Sequence, residues 1–111
     1  MQREFIILPN FEQSWKKLGL NDDELRDLEN EIMENPEKAP LIPGTGGIRK
    51  IRIKLPGRGK SGGARVIYID FIHQQHVYFL AAYAKNKQEN LTDEEKKILK
   101  SLVELLKKEY I

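Results

Sequence analysis

The chain has 111 residues, 40% of them hydrophobic and 32% charged, with a formal net charge of +2. That composition supports one domain spanning 1–111 around one small core and is too apolar for a disordered chain. The absence of cysteine excludes disulfides, thiolate chemistry and Cys-based zinc sites, and no apolar run reaches the length of a membrane span.

The opening MQREFIILPNF has too short an apolar stretch for a signal peptide, so a cytoplasmic protein is expected. Residues 3–8 read as a short strand ended by Pro9. Asn10 is positioned to cap a helix carrying Phe11, Trp15 and Leu18 on one face, with Gly19 as its stop. Asn21 and Glu24 form a capping box for a second helix with the stripe Leu25, Leu28 and Ile32, ended at Pro36. Residues 38–47 are rich in proline and glycine and read as a loop.

Residues 48–55 alternate, with Ile48, Ile51, Ile53 and Leu55 apolar and Arg52 and Lys54 interleaved on the other face, which predicts a strand with one cationic side. Residues 56–63 are a loop, 64–72 a central strand, 73–76 a turn and 77–83 the next strand. Thr92 with Glu95 is a second capping box, opening a helix whose apolar stripe is Ile98, Leu99, Leu102, Val103 and Leu106. The order β-α-α-β-β-β-α predicts an α+β fold: a small antiparallel sheet, a meander of consecutive strands, with helices covering one face.

Charge along the chain is sorted. Residues 38–88 hold one acid, Asp70, against ten Lys and Arg, while 20–40 hold eight acids against Arg26 and Lys38. The acidic helix reads as a solvated face. The basic stretch puts cations on strands and around glycines, which points to a polyanionic partner.

Nucleotide motifs fail on context. Residues 57–62, GRGKSG, match G-x-G-x-x-G, but a strand follows where that motif needs a helix N-terminus. The same loop resembles a Walker A sequence, yet its first glycine would fall at Lys54. His73 and His76 flank a turn with Asp70 as the one nearby carboxylate in sequence, the pattern of a hairpin tip rather than a metal site. What remains is a set of cations: Arg52, Lys54, Arg58, Lys60, Arg65, Lys85 and Lys87. Arginine offers a fork suited to phosphate oxygens, and an ammonium crowded by other cations gives up its proton more readily. Spacing alone leaves open a nucleic-acid-binding face without chemistry, the simpler reading, and a catalytic one.

The segments IPGTGGIRKIRIKLPGRGKSGGARVIYID and YFLAAYAKNKQENLTDEEKKIL resemble the RelE/HigB family of bacterial toxins. The resemblance covers residue 41 to the last helix and implies a microbial-ribonuclease-like α+β fold. It implies a toxin of a type II toxin–antitoxin pair that cuts mRNA on the ribosome, by attack of the 2′-hydroxyl on phosphorus and without metal or cofactor. Carried over position by position, the catalytic set is Arg52, Lys54, Arg65 and Lys85, with Tyr83 in place of the aromatic that the family carries near Leu91. Asn86 also departs from the family pattern. Arg49, Lys50, Arg58, Lys60 and Lys87 are the expected RNA-gripping cations. Implied partners are a cognate helix-turn-helix antitoxin, the ribosome with its mRNA, and operator DNA through the antitoxin complex. A gyrase-inhibiting toxin of the related ParE type and a non-catalytic RNA-binding module are the alternatives.

Overall fold

The computed structural model describes residues 2–55, 63–88 and 90–108. Among them, the chain order is β1 (Glu4–Ile7), α1 (Pro9–Lys17), α2 (Asp22–Glu34), β2 (Arg49–Ile53), β3 (Ala64–Phe71), β4 (His76–Ala84) and α3 (Asp93–Lys108). The strands form one sheet in the order β1-β4-β3-β2. The expected meander is present as the antiparallel ladders β2–β3 and β3–β4. β1 adds a parallel edge against β4, running from Glu4 opposite His76 to Ile7 opposite Phe79, so the sheet is mixed. Neighbour-to-neighbour reasoning cannot find a pairing that spans the whole chain.

Helices cover both faces, which corrects the one-sided layer expected from sequence. On one face Phe11, Trp15, Leu28 and Ile32 of α1 and α2 pack on Ile51, Val66, Tyr68 and Phe79. On the other, Val103 and Leu106 of α3 pack on Ile48, Ile67, Ile69 and Leu80. The cause lies in β3 and β4, whose runs VIYI and VYFL are apolar at every position and buried on both sides. A strand without polar alternation needs a layer above and below.

The helix boundaries follow local chemistry. α1 starts two residues earlier than expected: Leu8 is its N-cap and Pro9 its first residue, so Asn10 is inside the helix and not at its cap. Proline fits there because its φ is preset and its missing N–H is one the helix end leaves unbonded. At α2 the capping box is formed as read, Glu24 N–H to Asn21 Oδ1 at 2.9 Å and Asn21 N–H to Glu24 Oε1 at 3.0 Å. The box at α3 is also formed, with Thr92 N–H donating to Glu95 Oε1 at 2.8 Å and Glu95 N–H to Thr92 Oγ1 at 3.1 Å. Ile98, read as part of the buried stripe of α3, is 64% exposed.

The loop before β2 is built into the core. Thr45 is fully buried; its hydroxyl donates to Ile42 O at 2.6 Å and its Oγ1 accepts from Ile48 N–H at 3.3 Å. Gly46 has φ +82° and lies where a Cβ would sit 3.7 Å from Val103 Cγ1. The PGTGG segment therefore seats Ile48 under α3. Asp70, the one acid of the basic stretch, is held by Arg3 through contacts of 2.7 and 3.2 Å in a nearly buried pair.

Candidate active site

Three of the sequence-selected residues stand in one row across the sheet. Arg52 of β2 is opposite Arg65 of β3, and Arg65 is opposite Tyr83 of β4. Directly opposed residues of antiparallel strands share a face, with Cβ atoms about 4.5–5.5 Å apart. That face is the one toward α3, since Ile67 and Ile69 alternate with Arg65 and pack with Val103. Arg52 is exposed, Tyr83 half-buried and Arg65 only 3% exposed.

Tyr83 reaches this face through an irregularity in β4. The ladder runs Ile67 opposite Ala81 and Tyr68 opposite Phe79, leaving Leu80 as an extra residue. Leu80 and Ala81 therefore both pack toward α3, and every later residue of β4 is turned over. Without the bulge Tyr83 would face α1 and α2. Sequence offered no signal for it, because VYFLAAYA has no polar alternation for the bulge to interrupt.

Two arginines directly opposed repel one another, and an anion between them relieves the repulsion. The row thus suits a phosphate group. The chain just past β4 adds Lys85, whose backbone N–H donates to Gly63 O at 2.9 Å beside the start of β3. Lys54 follows the last residue of β2 and is exposed at the edge of the sheet. It also borders a shallow depression against Asp27 and Glu31 of α2. Lys87 is exposed in the turn after β4.

Lys50 lies on the same face as Arg52, two residues earlier, and its Nζ donates to Asn90 Oδ1 at 3.1 Å. Arg49 does not join the group. It points to the opposite face, where one guanidinium nitrogen donates to Glu37 O at 3.0 Å and Ala39 O at 2.7 Å. Its work is to close the loop after α2, beside Tyr68, whose hydroxyl donates to Pro36 O at 3.0 Å. Arg58 and Lys60 lie outside the described residues.

Beyond Phe79 the edge of β4 extends past the end of β1, and a cleft of about 560 Å³ opens there. Tyr83, Gln88, Leu91, Glu95, Leu99 and Asn10 line it. Leu91 is half-buried against the α3-side core and fills space rather than presenting an aromatic surface. Sequence reasoning did not mark Gln88, Asn90 or Glu95 as parts of the site. The Thr92–Glu95 capping box located the carboxylate, but nothing in spacing tied it to Gln88. The Glu95 carboxyl is held below the usual carboxylate range chiefly by the Thr92 N–H; burial opposes this, and the Gln88 amide adds a lesser lowering.

The two histidines stay at the hairpin tip, far along β4 from the row. The carboxylate next to His76 is Glu4, 3.3 Å from Nε2, and not Asp70; the parallel β1 edge brings it there. Among the described residues no three His, Asp or Glu side chains gather as a metal site would need, and no helix is long and apolar enough to cross a membrane.

Comparison with known proteins bears on this arrangement. A family model described as the RelE toxin of the RelE/RelB toxin–antitoxin system matches residues 8–109. The fold is similar to that of a double arginine-to-alanine variant of E. coli toxin RelE in the free state, with a TM-score of 0.59 and 19% identity over 80% of this chain and 90% of that one. It is similar to the isolated E. coli RelE toxin (TM-score 0.57, 16% identity, 90% and 98% coverage). It is also similar to a chain of the intact E. coli RelBE toxin–antitoxin complex (TM-score 0.55, 19% identity, 72% and 93% coverage).

Proposed function

The chain belongs to the RelE toxin family, and from that premise we propose that it is a ribosome-dependent mRNA endonuclease that arrests translation. The observation that carries this reading is the row Arg52–Arg65–Tyr83, which sets two guanidinium groups beside a phenol on one face of the sheet. A module that only gripped RNA would need neither a nearly buried arginine in the centre of the sheet nor a bulge that aims a tyrosine at it.

In the proposed reaction the RNA 2′-hydroxyl attacks the adjacent phosphorus. Lys54 is proposed as the general base that takes the hydroxyl proton. Arg65, assisted by Arg52, stabilises the negative charge that builds on the non-bridging oxygens. The bond from phosphorus to the 5′-oxygen breaks, and the Lys85 ammonium, with Tyr83 orienting, protonates that oxygen. The products are a 2′,3′-cyclic phosphate and a 5′-hydroxyl, so every proton is accounted for. Lys50 and Lys87 extend the positive surface along the RNA backbone, and Arg58 and Lys60 are proposed to do the same. Arg49 serves the fold.

An antitoxin partner follows by analogy with the E. coli RelBE complex. A helix-turn-helix protein that masks this face, with operator DNA bound through it, is the form proposed for this chain. Primer extension on translated mRNA tests the reading. Codon-phased cuts within the reading frame are expected. Cleavage of supercoiled DNA in place of mRNA cuts would point to gyrase poisoning, and neither would leave an RNA-binding module.

A further inference from the structure

The segment between β4 and α3 is clamped by side chains that neither the family motif nor the reaction above requires. Its near end is closed on Ala84, whose carbonyl accepts from Lys87 N–H at 3.2 Å and Gln88 N–H at 3.3 Å. Its far end is tied through one amide. Gln88 Nε2 donates to Glu95 Oε1 at 2.6 Å and to Asn90 O at 3.0 Å. Asn90 in turn accepts from Lys50 Nζ at 3.1 Å. Glu95 is anchored on α3, whose Val103 and Leu106 are in the core.

A continuous chain of polar contacts therefore runs from α3 through Gln88 and Asn90 to Lys50 on β2. It crosses the same face that carries Arg52, Arg65 and Tyr83, and it fixes both ends of the turn bearing Lys85 and Lys87. The bond at its centre is short and charge-assisted, the stronger kind. An exposed turn without such a tie samples many conformations and holds a lysine loosely.

We infer that Gln88 and Glu95 are positioning residues that hold Lys85 in register with the Arg52–Arg65–Tyr83 row. This inference rests on the proposed nuclease reading. Neither residue touches the reacting atoms. Misplacing a catalytic group by about 1 Å costs up to ~100-fold in rate, so the tie acts on the chemical step rather than on RNA binding.

The capping box supplies the control. Thr92→Ala removes the Thr92 Oγ1 bond to Glu95 N–H and weakens the helix end, but leaves the Gln88–Glu95 bond. Gln88→Ala breaks that bond and leaves the cap. Cleavage of ribosome-bound mRNA is measured as kcat and KM, together with Tm and amide hydrogen exchange at Lys85, Lys87 and Gln88. The expected result is that Gln88→Ala lowers kcat about 10- to 100-fold with KM and Tm near wild type and with faster exchange in 85–88. Thr92→Ala is expected to lower Tm and keep kcat. Unchanged kcat in Gln88→Ala, or a fall of kcat with Tm in Thr92→Ala, overturns the inference. Unchanged exchange in Gln88→Ala overturns it whether or not the protein cleaves. A wild-type chain that does not cut mRNA removes the nuclease reading instead, while exchange still decides whether the tie orders the turn.

Discussion

Tyr83 stands opposite Arg65 because Leu80 is an extra residue in β4. The hydroxyl of Tyr83 is buried in this setting, although the residue as a whole is half-buried. Its contribution is expected to come from the oxygen and not the ring. Tyr83→Phe should keep the fold, as read by circular dichroism, and slow cleavage by ~100-fold, the scale of a proton-transfer or orienting group. An unchanged rate would remove Tyr83 from the site.

The Arg3–Asp70 pair predicts a stability effect far from the row. Its side chains are 8% and 6% exposed, with a 2.7 Å contact from Arg3 Nε to Asp70 Oδ1. Removing one partner leaves a part-buried guanidinium without its charge-assisted hydrogen bonds. Asp70→Asn should cost about 1–3 kcal/mol in urea unfolding. Its effect on activity should appear only through the folded fraction.

Glu95 predicts an acid-sensitive component of stability. Its carboxyl is held below the ordinary value of 4.5 by hydrogen bonds made in the folded state. The unfolded chain therefore binds that proton more tightly, and acid favours it. The stabilisation is fully present above 4.5 and lost as pH falls through the lower folded value. Tm measured against pH for wild type and Glu95→Gln should differ by a constant amount above that point and converge below it.

The two sides of α3 should respond differently to truncation. Val103 is fully buried, whereas Ile98 is 64% exposed. Val103→Ala should cost about 2 kcal/mol through lost burial and the cavity left behind. Ile98→Ala should stay within about 0.5 kcal/mol of wild type. Chemical denaturation of the two variants checks this.

These outcomes also show how far the sequence was readable. The two capping boxes are local patterns formed at the residues that spelled them, whereas the alternation read over 48–55 is a strand only at Arg49–Ile53, with Ile48 packed toward α3 and Ile51 toward α1 and α2. The parallel β1–β4 edge joins residues about seventy positions apart in the chain and has no local signature. The layer on each side of the sheet was hidden for a related reason. Uninterrupted apolar runs in β3 and β4 say that a strand is buried, not how many helices bury it. In the site, Arg52, Lys54 and Arg65 were visible as charges out of place, and pairing brought Arg52 and Arg65 together. Arg49 carried the same charge and was assigned to the same surface, but strand alternation sends it to the other face. The Leu80 bulge and the Gln88–Glu95 tie were illegible, since both depend on contacts between elements.

The most direct test of the account is the single-turnover rate of cleavage of ribosome-bound mRNA by Arg65→Ala, with circular dichroism and Tm on the same preparation. A folded variant that cleaves ~100-fold or more slowly than wild type is predicted, because a preorganised donor to the charged transition state has been removed. A folded Arg65→Ala protein that cleaves at the wild-type rate would contradict it.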